Sequence, residues 1–483
     1  MIKALIGIVF VLIALAIITN PFSQITIIKP TYKARFRNGK LFVRNNNQKI
    51  RVRSDIFSKL FGYIKSGLYI LETRYVFSRG SKSESVKGII ADIHWLRFNP
   101  RKLLLISGDH FNSLFVRNLG VFYYPMLDTA IPSTKIDWEH RQIVYLQTLA
   151  FALGAFAKAD TLTTTIVPVG KNAVSCINFY AYPSDTLYGI LYSLAAALGQ
   201  ETARPFNYAA PQLTLQTTQE AEKLLATYKT SLRFHYDKYR ATAYDESTGL
   251  VSTSVHMSGA KDITRRRSAF YDNVVFWKTT DLAMKLGLLE MDVKFLKGLK
   301  QRILDSFWLK KEGYFLEDLS EEGVQNKFYS SDWLAVLFTN FLDPARSTEQ
   351  HYFTRSLHYI DRMAIARPMA VKYQHETRAS RQFLAVRLAV ASYGGDAIWS
   401  FWGMEYIKLH LRLYELTKDK KYLTEADYQI EAYDEAIRKN RGFPEVYDPA
   451  GKLLKTPLYQ SIRMTGWVIG YEQVLAMRKS IKG

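Results

Sequence analysis

The sequence predicts a mainly α protein: an (α/α)6 toroid behind a small β-containing N-terminal region and a first apolar helix. Three observations lead there. From about Phe111 onward, apolar residues recur at helical spacing in a dozen successive segments. Some are apolar on most faces, as in LQTLAFALGAFA and LYGILYSLAAALG, while others, such as EAEKLLATYKTSLRFHYDKY, keep one polar side. Concentric layers need both kinds, because an inner helix is covered all round and an outer one faces water. No motif recurs at constant spacing, which argues against tetratricopeptide-type arrays; an irregular helical solenoid is the alternative.

The first element is Ala4 to Ile18, an unbroken apolar run behind Lys3. Its length suits a signal peptide or a short membrane anchor. Thr19-Asn20-Pro21-Phe22 offers no small-residue cleavage pattern, so residues 1–22 read as a signal anchor. Export is the usual fate of such a start, and the extracytoplasmic side is favoured. The basic downstream flank argues for the cytoplasmic face.

Residues 23–105 form a basic, β-containing region. Alternating stretches flank Asn38-Gly39, a dipeptide that signals a two-residue hairpin. Residues 24–60 carry ten Lys or Arg and one acid, Asp55. Such a segment favours polyanions, and an anionic lipid or polymer is the expected partner. Nucleic acid is not expected.

Residues 106–483 form the helical body. Helices are expected near 111–127, 137–158, 184–199, 216–239, 270–287, 290–308, 331–341, 346–363, 381–391, 397–418, 420–440 and 458–479. With 483 residues and 48% apolar content, the chain can bury a large core. Cys176 is the single cysteine, which excludes an intrachain disulfide and a Cys-based metal site. The nine histidines show no H-E-x-x-H spacing, so neither a metal nor a cofactor is implied.

Several loops place acids just before apolar helices: 108–118 with Asp109 and Arg117, 258–273 with Asp262, Arg265 and Asp272, 329–333 with Asp332, and 393–403 with Asp396, Trp399 and Trp402. A fifth, 442–451, holds Glu445 and Tyr447 between the last two long helices. In a toroid the inner helices start at one end, so acids far apart in sequence can meet at one mouth. Glycoside hydrolysis needs such a meeting: one protonated carboxyl for the leaving oxygen and one carboxylate to activate water or attack carbon.

The order of these segments resembles the six-hairpin glycosidases, most of all the trehalase and processing α-glucosidase branches. Ser258-Gly259-Ala260-Lys261-Asp262 is similar to the Ser-Gly-Trp-Asp loop of the family's acid, with Lys261 where the family has Trp. Asp272-Asn273 resembles its Asp-Leu-Asn helix start, and Glu445-Val446-Tyr447-Asp448-Pro449 its base motif. Ala397-Ile398-Trp399-Ser400 and Thr465-Gly466-Trp467 resemble its Trp-bearing helix start and closing aromatic segment. The resemblance implies an inverting glycoside hydrolase with Asp262 as acid, Asp272 as the alternative acid, and Glu445 as base.

Each residue also has a plainer role. Asp272 and Asp332 suit helix N-caps, and Asp109 and Asp396 suit caps or ligands of substrate hydroxyls. Trp399, Trp402 and Trp467 serve as sugar platforms or as core. Arg117 and Arg265 can pair bidentately with an anionic group, and Tyr447 completes the substrate-binding set. Two other functions stay open: a non-catalytic glycan-binding protein, and a polysaccharide lyase or isomerase using His256 or Tyr271 as base.

Overall fold

The computed structural model describes residues 24–27, 32–45, 50–97, 114–119, 138–168, 173–178, 182–201, 213–257, 259, 261, 263–375 and 381–481. The expected anchor, Ala4 to Ile18, lies outside them. Among the described residues no helix is long and apolar enough to cross a membrane.

The N-terminal part supplies β1 (Gln24–Ile27), β2 (Tyr32–Arg37), β3 (Lys40–Asn45), β4 (Arg51–Arg53), α1 (Ile56–Phe77) and α2 (Val86–Arg97). Asn38 and Gly39, with φ of 51° and 69°, make the expected two-residue turn, and β2 and β3 pair from Arg37–Lys40 to Tyr32–Asn45. Tyr32 and Ala34 face the body, while Lys33, Arg35, Arg37, Lys40, Phe42 and Arg44 face outward. The register sets Lys33 opposite Arg44 and Arg37 opposite Lys40. Like charges placed directly opposite are destabilising.

β5 (Leu114–Phe115), α3 (Trp138–Phe156), β6 (Thr165–Pro168), β7 (Ala173–Ile177) and α4 (Thr186–Ala197) follow. The sheet order is β4-β1-β7-β6-β5. Thus β1, from the N-terminal region, pairs with β7 of the helical body, and the sheet runs across the expected division at residue 105. Part of the helix expected at 111–127 is corrected as well. Leu114 and Phe115 are a strand on β6, buried on both faces, so the run lacks the alternation that marks a half-exposed strand.

The remaining elements are α5 (Leu215–Ala243), β8 (Tyr244–Asp245), β9 (Leu250–Val251), α6 (Phe270–Lys285), α7 (Val293–Phe307), β10 (Trp308–Leu309), β11 (Tyr314–Phe315) and α8 (Glu321–Asn326). A 3-10 turn (Ser331–Leu334) runs into α9 (Ala335–Phe338). Then come α10 (Gln350–Arg362), α11 (Leu384–Ala389), β12 (Ile398–Trp399), α12 (Ser400–Thr417), α13 (Lys420–Asn440), β13 (Val446–Tyr447) and α14 (Val468–Ser480). The final helix starts ten residues later than expected, because Tyr447 to Met464 is tied up in β13 and isolated bridges.

Burial separates two layers. α3, α4, α6, the 3-10 turn with α9, α12 and α14 are covered on most faces. α5, α7, α10 and α13 bury one stripe each. Along the chain each inner element packs on the next: α3 on α4, α4 on α6, α6 on α9, the 3-10 turn on α12, and α12 on α14. The outer helices back them, α5 against α3 and α4, α7 against α6, and α13 against α12. This is the double-layered order of the six-hairpin toroid. α2 packs on α13, and its His94 meets Glu472 of α14 at 2.6 Å.

Candidate active site

Side chains at the N-terminal ends of four inner helices and the 3-10 turn touch one another. Asp185 stands at the N-cap of α4, and Tyr271 of α6 donates to it at 2.9 Å. Arg266, just before α6, meets Asp332 of the 3-10 turn at 2.5 Å. The ring of Tyr271 lies edge-on to Trp402 of α12, with centroids 6.2 Å apart. Trp399, at the N-cap of α12, lies 6.0 Å from Trp467, at the N-cap of α14. The sequence places an acid or an aromatic before each apolar helix, and the packing of those helices gathers them.

Asp272 is the third residue of α6 and is wholly buried. It is not the N-cap: Ala269 holds that position and the cap has no side-chain hydrogen bond. Among the described residues neither oxygen of Asp272 meets a hydrogen-bond partner in good geometry, and the Ser184 hydroxyl lies close enough to pull its carboxyl down. Burial pushes its carboxyl up, Arg266 pulls it down, and Asp185 and Asp332 add to the rise, leaving it at about 7. A carboxyl at that value carries a proton through much of the neutral range.

A few residues away the same conditions give the opposite result. Glu317 is also wholly buried, with Lys261 at 2.6 Å, Arg381 at 2.5 Å and Arg266 at 3.8 Å, and Gln374 donates to it at 2.9 Å. Burial alone would raise its carboxyl, but the three cations hold it down at about 2. Asp318 beside it accepts from Arg381 at 2.8 Å and from the Arg267 amide at 2.9 Å. Asp332, expected as a cap, is spent on Arg266 instead; its turn has no side-chain cap.

The loop before α6 is fitted against this cluster. A Cβ on Gly259 would fall 2.1 Å from the Asp185 carboxylate and 2.5 Å from the Tyr271 ring, so only glycine allows the approach. Arg117 donates to the Gly259 carbonyl and lies 3.5 Å from Asp185. Lys261, where the related motif carries Trp, has its ammonium 4.8 Å from the centre of the Tyr373 ring. Asp262 and Asp109 lie outside the described residues.

Glu445 is buried ahead of β13 and fixed through its backbone: its carbonyl accepts from the Ser400 amide at 3.0 Å, and its amide donates to Ile462. β12 and β13 pair Trp399 with Val446, so Glu445 sits at the start of α12. Trp399, Trp402, Tyr447 and Trp467 are buried; Trp399 donates its indole N–H to the Tyr393 carbonyl at 2.8 Å. Asp396 is half-buried, and Arg265 is exposed with its guanidinium 5.7 Å from the Phe383 ring. His256 hydrogen-bonds the Thr264 carbonyl at 3.0 Å, so that nitrogen carries the proton.

Sequence reasoning missed Asp185, Glu317, Asp318 and Arg381. Asp185 was within reach, since Ser184-Asp185 precedes the most apolar helix among the described residues in the pattern that drew attention to Asp272. The others reach the cluster through loop bridges, Thr264 to Gln382 and Ala269 to Asp318, which leave no periodic signal.

No protein-family model and no curated protein sequence matches this chain. Among solved structures it is similar to a glycoside hydrolase family 15 glucoamylase from Hypocrea jecorina, at 10% identity and a TM-score of 0.49, over 85% of this chain and 73% of that one. It is also similar to a GH63 mannosylglycerate hydrolase from Thermus thermophilus in complex with glucose, at 12% identity and a TM-score of 0.47, over 81% and 99%. A D-mannose isomerase gives 10% identity and a TM-score of 0.48, over 83% and 100%. All three lie below a TM-score of 0.5, so the functional reading stands on the site's own chemistry.

Proposed function

We propose that this chain is a glycoside hydrolase-like enzyme acting on a carbohydrate. In this reading Asp272 gives its proton to the leaving glycosidic oxygen and Glu445 activates the attacking water. The observation that carries it is Asp272 itself: a wholly buried carboxyl held at about 7, with no ion pair and no well-formed hydrogen bond among the described residues. A structural acid in such a place is normally paired, as Glu317 and Asp332 are. General acid catalysis asks for a carboxyl that is still protonated near neutrality.

The substrate is to be found by screening glycosides, α-glucosides first, for released reducing sugar. Asp272→Asn and Glu445→Gln should each lower kcat by about 10²–10⁴-fold with the fold retained. Unchanged turnover in either variant would remove that residue from the mechanism. Activity should fall on the alkaline side of about pH 7 as Asp272 loses its proton. An α-to-β or β-to-α change of the product anomer, read by NMR, would identify inversion.

An eliminating enzyme using Tyr271 is disfavoured, because burial and the neighbouring Asp185 hold its phenol well above the usual range. A glycan-binding protein without turnover would bind sugars that the parent chain never cleaves. Tethering through residues 1–22 with the body outside the cytoplasm is a separate proposal, tested by protease access to intact cells.

A further inference from the structure

Helix α1 exposes an apolar stripe. Among its described residues Gly62 and Ser66 are buried, while Ile56, Phe57, Leu60, Phe61 and Leu68 stand exposed, Ile56 at 70%, Phe57 at 79% and Leu68 at 64%. At 3.6 residues per turn these five fall within an arc of about 140°. Its inward side packs on β1, β6 and β7. A soluble surface helix turns its apolar residues to the core; here five of the described ones face out.

The surroundings say what covers it. β4 enters α1 with Arg51 and Arg53 exposed, and Lys65 lies on α1 with its ammonium 4.4 Å from the centre of the Phe61 ring. The one acid of residues 24–60, Asp55, is occupied as the helix cap, accepting from the Ser58 amide at 2.8 Å. Cations of this density are relieved by an anionic partner, and exposed Phe, Ile and Leu by an apolar one. An anionic bilayer surface supplies both at the depth of the head groups.

We infer that α1 lies in the interface of an anionic membrane, its Ile56–Leu68 stripe among the acyl chains and the neighbouring Lys and Arg on the head groups. The inference is independent of the sugar chemistry, because α1 shares no residue with the acid cluster.

The test uses the full chain with an environment-sensitive fluorophore on Phe57→Cys; the native Cys176 is buried and stays unlabelled. Phosphatidylcholine vesicles containing phosphatidylglycerol should shift the emission to the blue, and phosphatidylcholine alone should shift it much less. The same dye on Leu458→Cys, exposed on another part of the surface, should not respond. Arg51→Gln with Arg53→Gln should weaken vesicle binding about fivefold per charge removed, the equivalent of about 1 kcal/mol each. Emission already blue before lipid is added would mean that the chain itself or a second copy covers the stripe, and would overturn the inference. So would an equal shift with neutral lipid, or no shift with either.

Discussion

Glu317 and Asp272 are both wholly buried carboxyls in one cluster, yet one is held at about 2 and the other at about 7. Burial acts upward on both; the neighbours decide the difference. Glu317 has three cations within 4 Å. Asp272 feels one, Arg266, which Asp332 and Glu317 also engage, and it faces two further acids. A buried acid keeps its proton to higher pH where its counter-charge is already committed elsewhere.

The largest expected effect comes from breaking the Glu317 side. Glu317→Gln leaves Lys261, Arg266 and Arg381 with less negative charge than they need, and should cost about 3–5 kcal/mol in urea unfolding. The pH dependence follows in sign. Because the folded value of Glu317 lies below its unfolded one, its contribution is present above about pH 4.5 and is lost as pH falls through about 2.

Asp272 should do the opposite. Its folded value lies above 3.8, so its favourable contribution is present below that pH and is lost as pH rises through about 7. Asp272→Asn should therefore stabilise the chain at pH 8 by on the order of 2–4 kcal/mol, with the gain vanishing near pH 4. Parallel denaturation curves at the two pH values check it; equal effects at both would mean that Asp272 is ionised in the fold. A smaller change sharpens the comparison. Gly259→Ala forces the loop off Asp185 and should cost about 1–3 kcal/mol, while the acid limb of the Glu317 profile stays in place.

Much of the toroid was legible because its helices carry their environment in their period. α12 and α13 begin and end within three residues of expectation. The N-terminal part was less so. Gly62 and Ser66 lie on the buried side of α1 and apolar residues on the open one, so polarity does not announce which way the helix faces. β1 finds its partner β7 almost 150 residues away, a pairing no local pattern encodes. In the site, Asp272 could be singled out as an acid before an apolar helix. Its lack of an ion pair among the described residues could not, since that depends on Arg266 being drawn to Asp332 across 66 residues.

β1 also has a mechanical consequence. It is an inner strand, zipped antiparallel to β4 on one side and to β7 on the other. A pull applied at residue 24 along the strand would load both ladders at once in shear, rather than peel one edge open. Removing Gln24–Ile27 would leave β4 and β7 facing a gap, so these four residues act as a keystone of the sheet.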